Sequence, residues 1–377
     1  MNIRNVRAIA RKEYYHLIRD FRSLYLAFII PLLLVLLFGY ALSMDVEHIR
    51  TVVVDHDHTP ESRDFIMKLA ATPYFNIIAH LPDTKAVIRA LDHNQAILGI
   101  VIPPRFAEDL KGDRKSPLQV LIDGSDPNYA GNIRAFITAY IARENQARLV
   151  AFLNRQSRET IHAPVEGRIR VWFNEDLESR NFIVPGIIAL IIMIVGALLT
   201  SLVIAREYEN GTMETILSLP VRAIEFLLGK AIPYFFISLA DVLMAILMGQ
   251  LLFGVVMKSS FWLMVAASCV YIGVALAIGL LISVKTKAQL VANQMAIVLT
   301  YLPSLLLSNF VFPRENMPLV LKGVSLLVPA TYYIDILNGL YLRNLSFASL
   351  WLDFAVLAIM FLLLFALNIR ALKKEGL

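Results

Sequence analysis

Six apolar runs constrain this chain more than any other feature: Ser23–Ser43, Phe182–Ala205, Leu227–Val256, Phe261–Val284, Leu290–Phe312 and Leu350–Asn368. Each approaches the roughly 20 residues that an α-helix needs to cross about 30 Å of hydrocarbon. Composition agrees, with 58% hydrophobic residues against about 45–50% in a soluble domain. The first run ends in Ala41–Ser43, which has the form of a small-residue cleavage site. It is longer than a signal-peptide core and 22 residues precede it, so it reads as an anchor that is kept.

Basic residues orient the spans. The first segment carries Arg4, Arg7, Arg11, Lys12, Arg19 and Arg22 against Glu13 and Asp20. Lys285 and Lys287 follow the fourth run, and Arg370, Lys373 and Lys374 follow the sixth. Cations concentrate on the cytoplasmic side, so both termini are expected there. The net charge of +5 is then a topology signal. No basic stripe with interleaved aromatics favours nucleic acid as a partner. The one cysteine, Cys269, excludes an intrachain disulfide and reads as a packing residue.

Residues 3–21 place Val6, Ile9, Ala10, Tyr14, Leu17, Ile18 and Phe21 near a 3.6-residue period with arginines opposite. This predicts a basic amphipathic helix on the inner membrane surface. The polar stretch Asp45–Asn181 is long enough for a domain of its own. Strands are expected at Ile49–Asp55, Tyr74–Leu81, Ala96–Pro103, Leu118–Asp123 and Arg168–Glu175. Helices are expected at Pro60–Ala71, Thr84–Asn94, Phe106–Lys111 and Tyr129–Asn154. Such alternation argues for a mixed α/β domain. The histidines of Asp55–Pro60 raise a metal hypothesis, but neighbours in an extended chain point to opposite faces. A strand end turning through Thr59 as a helix N-cap explains the same residues. Residues Met317–Leu342 are apolar but broken by Lys322, Pro329, Asp335 and Gly339, which predicts short external helices instead of a span.

The fold class expected is an α-helical integral membrane protein with six transmembrane helices. A mixed α/β extracytoplasmic domain lies between the first and second. Residues 1–22 form the amphipathic helix, 23–43 the first span, 44–181 the external domain and 182–377 the remaining spans.

Between spans two and three stands AREYENGTMETILSLP, Ala205–Pro220. Gly211 breaks the incoming helix, Thr212 suits an N-cap, and Glu214 falls in the first turn, where a carboxylate favours the positive helix end. Pro220 disfavours helical geometry at Leu219. A helix over Met213–Ser218 is too short to be stable alone. It suits either a docked element or a merely soluble turn. Within the third span, Asp241 is costly. It suits a cationic-substrate or gating contact, or a hydrogen bond to Asn293 or Gln294 of span five.

REYENGTMETILSLPV resembles the R-E-x-E-x-G-T-x-E-x-L-x-x-x-P pattern of ABC-2-type transporter permeases, and Asn181–Gly186 (NFIVPG) is similar to their opening of span two. The layout is similar over essentially the whole chain, most closely to multidrug-type exporters with a long external domain. The resemblance implies a cytoplasmic coupling helix near residues 206–220, seated in a separate ABC ATPase subunit. Glu207, Glu209, Gly211, Thr212 and Glu214 would form or brace that contact. The sequence contains no G-x-x-x-x-G-K-[ST] phosphate loop, so ATP and magnesium are expected on the partner chain, with no cofactor or metal bound here. The permease would pair with itself or a related permease in a bacterial inner membrane, moving a hydrophobic or amphipathic substrate outward. A periplasmic adaptor is a further candidate partner. ATP-driven closure would shift spans one, two and five between two packings. A membrane-anchored sensor and a secondary transporter are the alternatives; the first lacks an evident output domain and the second usually shows repeated halves.

Overall fold

Glycine and proline punctuation divides the apolar and polar stretches into helices and strands that segregate into two units. The computed structural model describes residues 2–41, 48–111, 116–125, 127–156 and 180–377. The units are Met1–Ser43 with Val171–Leu377, and Met44–Arg170.

In the polar unit, β1 (Ile49–Asp55), α3 (Pro60–Ala70), β2 (Phe75–His80), α4 (Thr84–Asp92), β3 (Leu98–Ile102), α5 (Phe106–Lys111), β4 (Gln119–Ile122) and α6 (Pro127–Gln156) follow in order. The sheet runs β2-β1-β3-β4, with β1 parallel to β2 and β3, and β4 antiparallel to β3. Ile49, Phe75, Leu98 and Ile100 pack with Ile133 and Ile137 of α6. Val52, Val54 and Val101 pack with Val87 and Ala90 of α4. Helices on both sides therefore cover β1 and β3, which read as nearly continuous apolar runs for that reason. The expected strand Arg168–Glu175 lies outside the described residues.

Thr59 is the N-cap of α3, forming a reciprocal capping box with Ser62. The neighbouring carboxylates serve the same turn. Asp55 accepts from the Asp57 and His58 amides at 3.0 and 3.1 Å and from the Ser62 hydroxyl at 2.7 Å. Asp57 accepts from the Thr59 hydroxyl and from the Ala107 amide at 3.0 Å. Burial pushes the Asp57 carboxyl up, but these hydrogen bonds outweigh it and hold it below its ordinary value. Among the described residues no group of three or more His, Cys, Asp or Glu side chains is arranged to hold a metal.

The helical unit comprises α1 (Ile3–Arg19), α2 (Phe21–Ala41), α7 (Arg180–Glu209), α8 (Thr212–Leu217), α9 (Ala223–Phe253), α10 (Phe261–Thr286), α11 (Gln289–Ala296), α12 (Leu302–Leu307), α13 (Leu319–Ser325), α14 (Pro329–Tyr341) and α15 (Phe347–Lys374). By length and composition, α7, α9, α10, the α11–α12 stretch and α15 can each cross a membrane. The described part of α2 is apolar over Ala27–Phe38. Helices α13 and α14 are short and bent by 78° at their break. Together they are long and apolar enough to form one broken span or a re-entrant loop, which the expectation of short helices instead of a span did not include. A π-turn, Ile297–Tyr301, separates α11 from α12, just before Pro303, which lacks the amide that a regular turn would use.

Helix α7 is the hub of the bundle. It is buried along most of its length and packs on α2, α9, α10, α11 and α14. Apolar burial of this kind does not position helices by itself, because lipid is equally apolar. Polar contacts supply register: the Tyr271 hydroxyl of α10 donates to the Ala189 carbonyl at 3.1 Å, and the α7 amides of Ile204 and Ala205 donate to Ser283 at 2.9 and 2.8 Å.

Candidate functional site

Four consecutive residues at the end of α7 reach five different partners. Successive helical residues project about 100° apart, so a single turn can brace elements on every side. Arg206 pairs with Asp20, between α1 and α2, at 3.1 Å. Glu207 accepts from Lys12 of α1 at 2.8 Å and from Lys230 of α9 at 2.5 Å. The Tyr208 hydroxyl donates to Glu375 at 3.3 Å. Glu209 accepts from the Gln289 amide at 2.7 Å, and from its side chain, at the start of α11.

The Glu207 branch is the most buried. Lys230 is sealed, with its side chain 2% exposed, and bridges Glu207 to Glu13 of α1, whose contact is 2.6 Å. The other Glu13 oxygen accepts from the Tyr234 hydroxyl at 3.0 Å. Two lysines thus face two glutamates with the lone pairs largely satisfied, the condition under which buried ion pairs persist. Backbone proximity permits it. A β-carbon at Gly229 would stand 2.6 Å from the Ile9 β-carbon, so only glycine lets α1 lie this close to α9. At the start of α1, Glu225 of α9 accepts from the Asn2 amide at 2.5 Å and the Asn5 side chain at 2.9 Å. A carboxylate there also meets the positive end of the helix. The amphipathic helix predicted from residues 3–21 is therefore clamped at its start and its middle.

Gly211 ends α7 with φ +70° and serves as the N-cap of α8. A left-handed residue is costly for anything with a β-carbon. This corrects the expectation for Thr212, which is the first residue of α8 and whose hydroxyl donates to the Glu207 carboxylate. The helix begins and ends one residue earlier than expected because glycine supplies the turn unaided. Met213 is buried and anchors α8, with Ile216 and Leu217 partly buried beside it. Glu214, Thr215, Ser218 and Leu219 are exposed.

The five residues singled out in this segment therefore separate by role. Glu207 is buried, Thr212 is exposed but donates back to it, Glu209 caps α11, Gly211 makes the turn and Glu214 stands in solvent. A second tie secures the chain end, where Lys287 donates to Glu375 at 2.5 Å and lies 5.0 Å from the Tyr208 ring centre. The Lys287 hydrogen bond holds the Glu375 carboxyl below its ordinary value.

Asp241 is not joined to Asn293 or Gln294. Both its oxygens are buried without a hydrogen-bond partner among the described residues, while α11 packs on α7 and α10. Glu13, Lys230 and Tyr234 were missed by sequence reasoning. The available signals were a lysine near the start of an apolar run and an acid in phase with Val6 and Leu17.

A family model described as ABC-2 family transporter protein matches residues 21–370. The probable multidrug ABC transporter permease YbhS of Escherichia coli (strain K12) is 34% identical over 343 residues, covering 90% of this chain and 89% of that protein. YbhR of the same organism, also a probable multidrug ABC transporter permease, is 26% identical over 91% of each chain. ABC transporter G family member 20 of Dictyostelium discoideum is 21% identical over 98% of this chain and 50% of its own length. With its spans, its braced α7 end and a family match over nearly all its length, the chain belongs to the ABC-2 transporter family.

Proposed function

We propose that this chain is the permease subunit of an ATP-driven exporter, and that α8 is the element through which a separate ATPase subunit moves the spans. The observation that carries the reading is the pairing of an exposed α8 face, Glu214, Thr215, Ser218 and Leu219, with the braced turn Arg206–Glu209 behind it. A push on a six-residue helix is absorbed locally unless that helix is tied to longer elements. Here α8 is tied through Thr212 to Glu207, and Glu207 to α1 and α9. Glu209 extends the tie to α11. Force on α8 thus reaches α7, α9 and the α11–α12 span together, as a shift between two packings requires.

On this reading α1, α8 and both termini are cytoplasmic, the polar unit lies outside, and the membrane is a bacterial inner membrane. ATP and magnesium sit on the partner chain, and a second copy or a related permease completes the pathway. The names of YbhS and YbhR support a multidrug-type substrate, hydrophobic or amphipathic. Glu214→Arg combined with Leu219→Asp tests the dock, since neither side chain is buried. The variant should reach the membrane at wild-type levels and lose copurification of its ATPase. Full copurification with substrate-stimulated ATP hydrolysis would refute the assignment of α8.

A further inference from the structure

The inward face of α9 carries Lys230, Tyr234, Ser238 and Asp241. Spacings of three and four residues place them in one line. The first two are satisfied by Glu13 and Glu207. The next two are not: the Ser238 hydroxyl and both Asp241 oxygens have no hydrogen-bond partner among the described residues. Their residues are only 2% and 3% exposed.

An ionised carboxylate sealed in this way would carry a desolvation cost with nothing to compensate it. Among the described residues no lysine, arginine or histidine pairs with Asp241. Helix α7 has no ionisable side chain from Phe182 to Ala205, and α2 has none from Ala27 to Phe38. On α10, the Tyr271 hydroxyl is committed to Ala189, and Cys269 is half-buried. On α15, Asp353 is an acid near Asp335. The cations of α1 and α7 that meet α9, Lys12 and Arg206, are engaged at its other end with Glu207 and Asp20. Lys230 is about 16 Å along the helix from Asp241, at 1.5 Å per residue.

The ligand must then be small and positive. A calcium-like cation takes about six to eight oxygens, and this face supplies three. A larger organic cation needs an opening that a side chain 3% exposed does not provide. A proton needs neither.

We propose that Asp241 is an intramembrane proton site, set on the same face of α9 as Tyr234 and Ser238. A hydronium ion gives its proton to a carboxylate oxygen, forming the O–H bond of a neutral acid and leaving water. Separation of α9 from α2 and α7 hydrates the group and reverses the step. Closing therefore takes up one proton and opening releases it, so acid favours the packing described here.

The test uses the full chain in liposomes without any ATPase, so its failure leaves the docking reading untouched. Infrared spectra of wild type minus Asp241→Asn, recorded from about pH 5 to about pH 9, should contain a neutral carboxylic-acid stretch that gives way to carboxylate as pH rises. Asp241→Glu, which keeps the acid one methylene further out, should retain a neutral-acid band at a shifted frequency. Asp241→Asn, which imitates the neutral acid, should flatten the pH dependence of the melting temperature that wild type shows. A carboxylate signature at every pH, or identical melting profiles of the two proteins, overturns the proposal. Should Asp241→Asn fail to accumulate, wild type minus Asp241→Glu decides alone, and spectra that show only carboxylate from Asp241 at every pH overturn it.

Discussion

Replacing Lys230 with methionine keeps the length of the side chain and removes its charge. In the native arrangement the ammonium lies 2.6 Å from Glu13 and 2.5 Å from Glu207, and all three side chains are nearly sealed. Removing it strands the two carboxylates unequally. Glu207 keeps Lys12 at 2.8 Å and the Thr212 hydroxyl, whereas Glu13, among the described residues, keeps only the Tyr234 hydroxyl. Breaking a buried pair by deleting one partner costs about 3–5 kcal/mol, because a charge is left uncompensated. At roughly 2 °C per kcal/mol for a chain of this size, the melting temperature should fall by on the order of 6–10 °C. Adding Glu13→Gln removes the stranded charge and should recover a large share, a coupling of about 0.5–3 kcal/mol in a double-mutant cycle. Thermal unfolding of the detergent-purified proteins reads both numbers. A Lys230→Met protein melting with wild type, or additive losses in the double variant, would refute the claim that these charges hold α1 to α9.

Three further outcomes follow from the same geometry. Gly229→Val places side-chain atoms where Ile9 stands, so α1 should lift from α9 and trypsin should cleave at Arg7 and Arg11 faster than in wild type. Because the Glu375 carboxyl is held below its ordinary value of 4.5, its tie to Lys287 contributes fully above that pH and is lost as pH falls through the lowered value. Glu375→Gln should accordingly melt below wild type at neutral pH and match it in strong acid. Thr59→Ala removes the cap of α3 at a cost of about 1 kcal/mol, read as faster hydrogen exchange of the first-turn amides of α3.

Periodicity revealed the long elements because the physics that forms them is local. The runs Phe182–Ala205 and Ile49–Asp55 declare a span and a buried strand without knowledge of their neighbours. Gly211 was legible for the same reason, since a break between two helical patterns needs no partner. Thr212 was misread because a threonine after glycine looks like a cap until the glycine is seen to supply the turn. The ion cluster was harder, since Glu13 and Lys230 are 217 positions apart and only packing brings them together. Asp241 was visible as a cost, but its lack of any partner is a property of the folded bundle.

The central claim is that the exposed face of α8 is where an ATPase meets the permease, and photo-crosslinking in intact membranes tests it most directly. A photoreactive residue at Thr215, which is exposed on α8, is compared with one at Ile88, exposed in the polar unit. The account predicts an ATPase adduct from position 215 and none from position 88. An actively transporting protein that yields no ATPase adduct from Thr215, Ser218 or Leu219 would contradict it.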